Sequence, residues 1–207
     1  MKKLLLISLT CLIISFLGCK KQDFTDIQGR IVEKGSNKGI ANAKVVFSQC
    51  ISNGILGGSS CEAIDTILTD ANGNYRYTLE DDQTTNYHIE AFKDNYRMEL
   101  LQTASGGQIS KNVDITMLAF AWIKFHVKNV NPFDDSDLIY APGSIGLGKY
   151  VFYGKTVDTT YILGGKSFIG GFKQGIDITF KRNNQIKQYI DSVFCKSLDT
   201  VFHEIKY

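Results

Sequence analysis

The chain has 207 residues, 43% hydrophobic and 12% aromatic, with 23 basic and 21 acidic side chains and a formal net charge of +2. This composition supports packed cores in one large domain or two small ones, and a near-neutral chain without basic clusters excludes nucleic acid as a partner. Nineteen glycines against two prolines supply many turns without the composition of a disordered chain.

Lys2 and Lys3 precede an apolar run from Leu4 to Leu17, broken only by Ser8, Thr10 and Ser15. A spanning helix needs roughly 20 apolar residues. The shorter run suits the apolar region of a secretory signal. It stops at Leu17-Gly18-Cys19, which, with Phe16 before it, resembles a bacterial lipobox; an ordinary secretory signal with an incidental cysteine is the alternative. The resemblance implies that a diacylglycerol is attached to the Cys19 thiol, that residues 1–18 are removed as a lipoprotein signal peptide together with Cys11, and that the acylated (palmitate-type) Cys19 becomes the first residue of a short tether, 19–25. Losing Lys2 and Lys3 from the 23 basic residues leaves 21, equal to the 21 acidic ones. Acyl chains hold a protein on a bilayer at about 0.8 kcal/mol per buried methylene, and more than one chain makes the anchor stable. The implied location is the cell envelope, lipid-anchored in the outer membrane of a Gram-negative bacterium, periplasmic or surface-exposed.

From residue 26 onward short alternating segments rich in Val, Ile, Thr, Tyr and Phe follow one another, with no sustained helical periodicity. This predicts an all-β protein. The first segments are "DIQGRIVE", "KVVFSQC", "AIDTILT", "NYRYTL", "NYHIEAFK" and "KNVDITML". In "NYRYTL" the alternation puts Tyr75, Tyr77 and Leu79 on the core side and Arg76 and Thr78 outside. The turn "DANGN" offers Asp70 as a side-chain cap and Gly73 for a left-handed position. A calcium loop built on Asp70, Asn72 and Asn74 is disfavoured, because Tyr75 and Asp81 stand where an EF-hand loop has its glycine and its bidentate glutamate.

Cys50 and Cys61 bracket the Gly- and Ser-rich stretch "ISNGILGGSS". They read as the ends of two adjacent strands clipped by a disulfide across a long hairpin, which an exported location permits. A metal pair would need two further ligands, and none are spaced for it. Cys195, in "DSVFCKSL", reads as a half-buried free thiol, and a catalytic thiol would require a positioned histidine such as His126 or His203.

Residues 26–118 carry a recognisable series: Gly29, Arg30, Ile31 and Val32; Gly39, Ile40, Ala43 and Val45; Thr69, Asp70, Gly73 and Tyr75; and Tyr87, Ile89, Ala91 and Tyr96. The series resembles the carboxypeptidase regulatory-like domain, and Thr-Asp-x-x-Gly-x-Tyr is its most specific element. The resemblance implies a transthyretin-like seven-strand sandwich that serves as a spacer or interaction module and has no catalytic machinery of its own.

Residues 119–207 read as a second, immunoglobulin-like sandwich. In "AWIKFHVKNV" the residues Ile123, Phe125 and Val127 face one way, and Trp122, Lys124, His126 and Lys128 the other. Those four form a possible ligand face, an aromatic plate among hydrogen-bonding groups of the kind that suits a sugar; a plain solvent face is the duller alternative. Asp134, Asp135 and Asp137 offer oxygen ligands for calcium, but a solvated turn is expected. Further strands are "KYVFYGKTV", "TTYIL", "GIDITFKR", "IKQYIDSVF" and "DTVFHEIKY". "APGSIG" lacks the first glycine of a nucleophile elbow around Ser144, and His88, His126 and His203 have no metal-ligand spacing. No linker separates the halves, since "DITMLAFAWIKF" is one apolar-rich run.

Four tripeptides of the form Asp-[Ser/Thr]-x, centred on Thr66, Thr159, Ser192 and Thr200, resemble the acceptor motif of a general O-glycosylation system acting on exported proteins of some Gram-negative bacteria. A β-rich sequence also supplies such tripeptides by chance. No catalytic residue, metal or cofactor is expected. The sequence therefore points to a non-enzymatic, membrane-anchored envelope lipoprotein that acts as a protein-interaction or scaffold module, with a glycan-binding accessory lipoprotein of an uptake system as the alternative. Its expected partners are the membrane, through the anchor, and an envelope protein or glycan.

Overall fold

The computed structural model describes residues 24–52, 59–80, 86–105, 111–143 and 148–207. The signal segment, Cys19, Asp81, Ser144 and most of the loop between Cys50 and Cys61 lie outside them. The described residues form strands and turns with no helix. In chain order the strands are β1 (Phe24–Glu33), β2 (Lys44–Ser52), β3 (Ser59–Leu68), β4 (Asn74–Glu80), β5 (Asn86–Phe92), β6 (Tyr96–Met98), β7 (Gln102–Ser105), β8 (Lys111–Asn112), β9 (Ile115–Lys128), β10 (Leu138–Ala141), β11 (Tyr150–Tyr153), β12 (Asp158–Ile169), β13 (Phe172–Arg182), β14 (Gln185–Cys195) and β15 (Thr200–Lys206).

Two sandwiches result. In the first, a sheet ordered β3-β2-β5-β7 faces the β9-β1-β4 part of a larger sheet, to which β6 and β8 add. Their inner faces share a core that contains Ile27, Ile31, Val45, Phe47, Tyr75, Leu79, Ile89, Ile115 and Met117. Phe47 joins the two layers, with its ring 4.5 Å from Tyr77 and 6.2 Å from Tyr75. In the second, β12, β9 and β15 face the sheet β11-β10-β13-β14 over Ile123, Phe125, Val127, Ile139, Ile176, Ile178 and Ile205.

The 14-residue strand β9 belongs to both. Its odd-numbered side chains all point inward, Ile115 and Met117 into the first core and Ala121 to Val127 into the second. The expected boundary between residues 118 and 119 therefore falls inside a strand. Loops from both halves hold the crossover: Phe120 N–H donates to the Asn95 carbonyl at 2.8 Å, while Gly170 and Leu198 donate to the carbonyls of Ala119 and Phe120, each at 2.9 Å.

The turn after β3 forms as read. Asp70 accepts hydrogen bonds from the amides of Asn72 and Asn74, both at 2.8 Å, and Gly73 has φ +82°. The Asn74 side-chain amide, at 3.0 Å, and then these backbone bonds favour the charged form and hold the Asp70 carboxyl below its ordinary range.

Several segments differ from the sequence reading. β6, β7 and β10 were not anticipated. Three or four residues show too little alternation to announce a strand, and pairing with β9, β5 and β13 makes them extended. "KNVDITML" divides into β8 and the start of β9. The strand read through Val157 stops at Tyr153, because Gly154 turns the chain at φ +100°. Cys195 is fully buried in the second core rather than half-buried, and that burial pushes its thiol pKa up, the opposite of an activated nucleophile.

Cys50 and Cys61 stand directly opposite one another on β2 and β3 and are joined by a disulfide. Closing so short a loop limits the unfolded chain. Replacing both cysteines by alanine is expected to lower the unfolding free energy by about 3 kcal/mol, read as a lower denaturant midpoint. The same midpoint with and without reductant in the wild-type protein would contradict it.

Candidate ligand face on strand β9

The outward residues of the second half of β9 are Trp122, Lys124, His126 and Lys128, which the structure places on one face as the alternation required. Two neighbouring strands extend that face. β12 runs antiparallel and sets Gly164, Ile162, Thr160 and Asp158 beside them in that order. β15 runs parallel on the other side and sets Thr200, Phe202, Glu204 and Lys206 beside the same four.

The face has a polar end and an apolar end. At the polar end His126 lies between two carboxylates, with Nε2 2.7 Å from Asp158 and Nδ1 3.3 Å from Glu204. Lys128 reaches Asp158 at 2.9 Å, and Lys206 reaches Glu204 at 2.6 Å. Hydrogen bonds from His126, and then Lys128, hold the Asp158 carboxyl below its ordinary value, and Lys206 does the same for Glu204. Both carboxylates therefore stay charged until the solution is more acidic than their ordinary values, and the network persists down to that range.

At the apolar end Ile162 and Phe202 are each 58% exposed on either side of Lys124. The Trp122 indole lies against β12 where Gly164 leaves room; a Cβ there would fall inside the ring. The sequence identified the β9 residues. It missed Asp158, Ile162, Phe202 and Glu204, which arrive from strands distant in sequence, and only the registers of β12 and β15 reveal them.

The acidic turn divides. Asp134 accepts from the Ser136 amide at 2.8 Å and from its hydroxyl at 2.6 Å, and Asp135 is an exposed residue facing Lys155 at 3.8 Å. Those two fit a solvated turn, but Asp137 does not. It is fully buried, and Oδ2 accepts from the Phe133 amide at 2.8 Å and from Asn129 Nδ2 at 3.0 Å, with Arg182 Nε 3.7 Å away. Burial, the largest effect on this carboxyl, disfavours its charge; the donors and Arg182 together outweigh it and leave the pKa below its ordinary value.

His88, on β5, approaches the disulfide with Nδ1 3.4 Å from Cys61 Sγ. The sequence gave no sign of this third group. The ligand atoms of Cys50, Cys61 and His88 lie within 4.8 Å of one another, but metal ligation requires thiolates and these sulfurs are bonded to each other.

Three of the four Asp-[Ser/Thr] tripeptides share a local geometry. Asp65, Asp191 and Asp199 each accept a hydrogen bond from the amide of the next residue, at 2.6, 2.6 and 2.7 Å. Thr66 and Thr200 are exposed, while Ser192 is half-buried. Thr159 is also half-buried, opposite the core residue Val127, and its Asp158 is engaged with His126 and Lys128.

The fold is that of an all-β protein with two sandwiches on one shared strand. No protein-family model matches the chain, and no curated protein matches it. Among solved structures it is similar to a Streptococcal ancillary pilin at 10% identity and a TM-score of 0.40, covering 91% of this chain and 63% of that one. It is similar to the minor pilin of Streptococcus agalactiae at 11% identity and a TM-score of 0.38, covering 88% of this chain and 94% of that one. It is also similar to the full-length major pilin SpaD of Corynebacterium diphtheriae at 11% identity and a TM-score of 0.41, covering 84% and 64%. The chain thus spans slightly less than two thirds of the ancillary and SpaD pilins.

Proposed function

We propose that this chain is a lipid-anchored protein of the cell envelope, held through Cys19, that acts as a non-enzymatic interaction or scaffold module. Its first half would serve as the spacer that the carboxypeptidase regulatory-like resemblance implies. One observation carries the reading. The β12-β9-β15 face has exposed apolar side chains, Ile162 and Phe202, on either side of Lys124, and beside them a cluster of charges that are paired with each other. Exposed apolar side chains next to a polar, charge-paired border are features of a protein-docking patch. Thr66 is the favoured site of O-glycosylation, because it is exposed and lies on β3; Thr200 is also exposed but stands on the docking face beside Trp122. A glycan ligand is the second reading, supported by Trp122 on the same face.

The test is mild crosslinking in the native cell, followed by capture and mass spectrometry, on the wild-type protein and on Phe202→Asp. One dominant envelope partner, reduced at least tenfold in the variant, is the expected result. Equal capture by both proteins removes this face from the function. Absence of a partner, together with glycan-panel binding that Trp122→Ala abolishes, would replace protein docking with glycan binding.

A further inference from the structure

We propose that two copies of this chain associate through β14, paired antiparallel with its own copy about a two-fold axis at Ile190. The strand lies at the end of its sheet and, among the described residues, pairs only with β13. An edge strand presents unpaired backbone N–H and C=O groups to any extended chain, and proteins ordinarily protect long edges with bulges, prolines or charges. The other long edge strands carry such a device: β3 has a register shift opposite Phe47 and Ser48, and β12 has one between Gly165 and Ile169. β14 has no such shift. Its eleven residues run in unbroken register with β13 and include two charged residues of opposite sign, Lys187 and Asp191.

Three of its solvent-facing side chains are large, apolar and exposed. Ile186 is 72% exposed, Ile190 76% and Phe194 56%. They recur every fourth residue, so they share one face of the strand, with Gln188 and Ser192 between them.

The pattern is self-complementary. β14 runs from Gln185 to Cys195, so its midpoint is Ile190. Antiparallel pairing of the full strand with its copy sets Ile190 against Ile190, Ile186 against Phe194 and Gln188 against Ser192. On the opposite face Lys187 meets Val193 and Tyr189 meets Asp191. Every large exposed apolar residue on the solvent face then meets another, and no like charges meet. A slip of two residues in either direction sets Ile190 against Gln188 or Ser192, so the side chains disfavour it, and a slip of four shortens the ladder. Such a contact is isologous and closed, giving a dimer rather than a fibre. It joins two four-stranded sheets into one of eight strands. The β14 edge is in the opposite sheet from the ligand face, although Tyr189 donates its hydroxyl to the Lys206 carbonyl at 3.3 Å and Asp191 lies 3.4 Å from His203 Nε2.

The test uses single cysteines in the full chain, expressed in its native envelope and treated with a mild oxidant. Among the described residues the native cysteines are the Cys50–Cys61 disulfide and fully buried Cys195, so none of these competes. Ile190→Cys is expected to give a disulfide-linked homodimer on a non-reducing gel. Gln188→Cys and Ser192→Cys are expected to give at least tenfold less when expressed singly, and a mixed dimer when co-expressed. Purified Ile190→Lys is expected to sediment at half the wild-type mass; its side chain is exposed, so the substitution leaves the fold intact. The proposal is overturned if Ile190→Cys stays monomeric, if it links to a protein of another mass, if Gln188→Cys crosslinks to itself as readily, or if the wild-type protein sediments as a monomer.

Discussion

Asp137→Ala is expected to lower the unfolding free energy by about 3 kcal/mol, the lower end of the range for breaking a buried ion pair. The lower end applies because Arg182 is partly exposed and stands 3.7 Å away. Three groups lose their acceptor or counter-charge at once: the Phe133 amide, the Asn129 side chain and Arg182. Arg182 keeps its bond to Asn129 Oδ1 at 2.9 Å and its position over the rings of Phe180 and Tyr207, so the cation stays in place without its partner. Urea unfolding of the two proteins at pH 7 measures the difference, and a shift of less than 1 kcal/mol would contradict this account. The pH dependence has a definite sign. The folded pKa is lowered from 3.8, so the stabilisation is present above that value and is lost as pH falls through the folded pKa. Asp137→Asn should therefore flatten the acid limb of the stability curve and leave its neutral limb parallel to that of the wild type.

Phe125→Ala is the second large effect, about 3–5 kcal/mol for deleting a fully buried phenyl ring. The ring is fully buried and lies 5.3 Å from Tyr161, 5.9 Å from His203 and 6.3 Å from Phe168. It sits on the strand that also supplies Ile115 and Met117 to the first core. Calorimetry should therefore show one transition moved to lower temperature rather than two. Separation into two transitions would mean that the halves unfold independently despite sharing β9.

What the sequence revealed was local in origin. The alternation of β9, the core side of β4 and the capping role of Asp70 all follow from residues within a few positions of each other. The cysteine pair was legible because its loop is short and rich in glycine and serine. Asp137 was not legible. It lies in a cluster of turn formers; the Phe133 amide that it accepts from is in the same turn, but Asn129 lies just past the end of β9 and the counter-charge, Arg182, comes from a distant strand. The same holds for His126, whose two carboxylates belong to strands that pair with β9 from opposite sides, and for His88, which reaches Cys61 across β2. Of the candidate face, the sequence supplied the central row and the tertiary registers supplied the two flanking rows.

The shared strand also bears on how the protein responds to pulling. Two sandwiches on a linker part when the linker extends. Here β9 is paired in parallel with β1 in the first half and with β15 in the second. Tension along β9 loads those ladders in shear, so their hydrogen bonds must give way together rather than one after another. A tether at one end of the molecule and a load at the other would be connected through the backbone of a single strand gripped along its length.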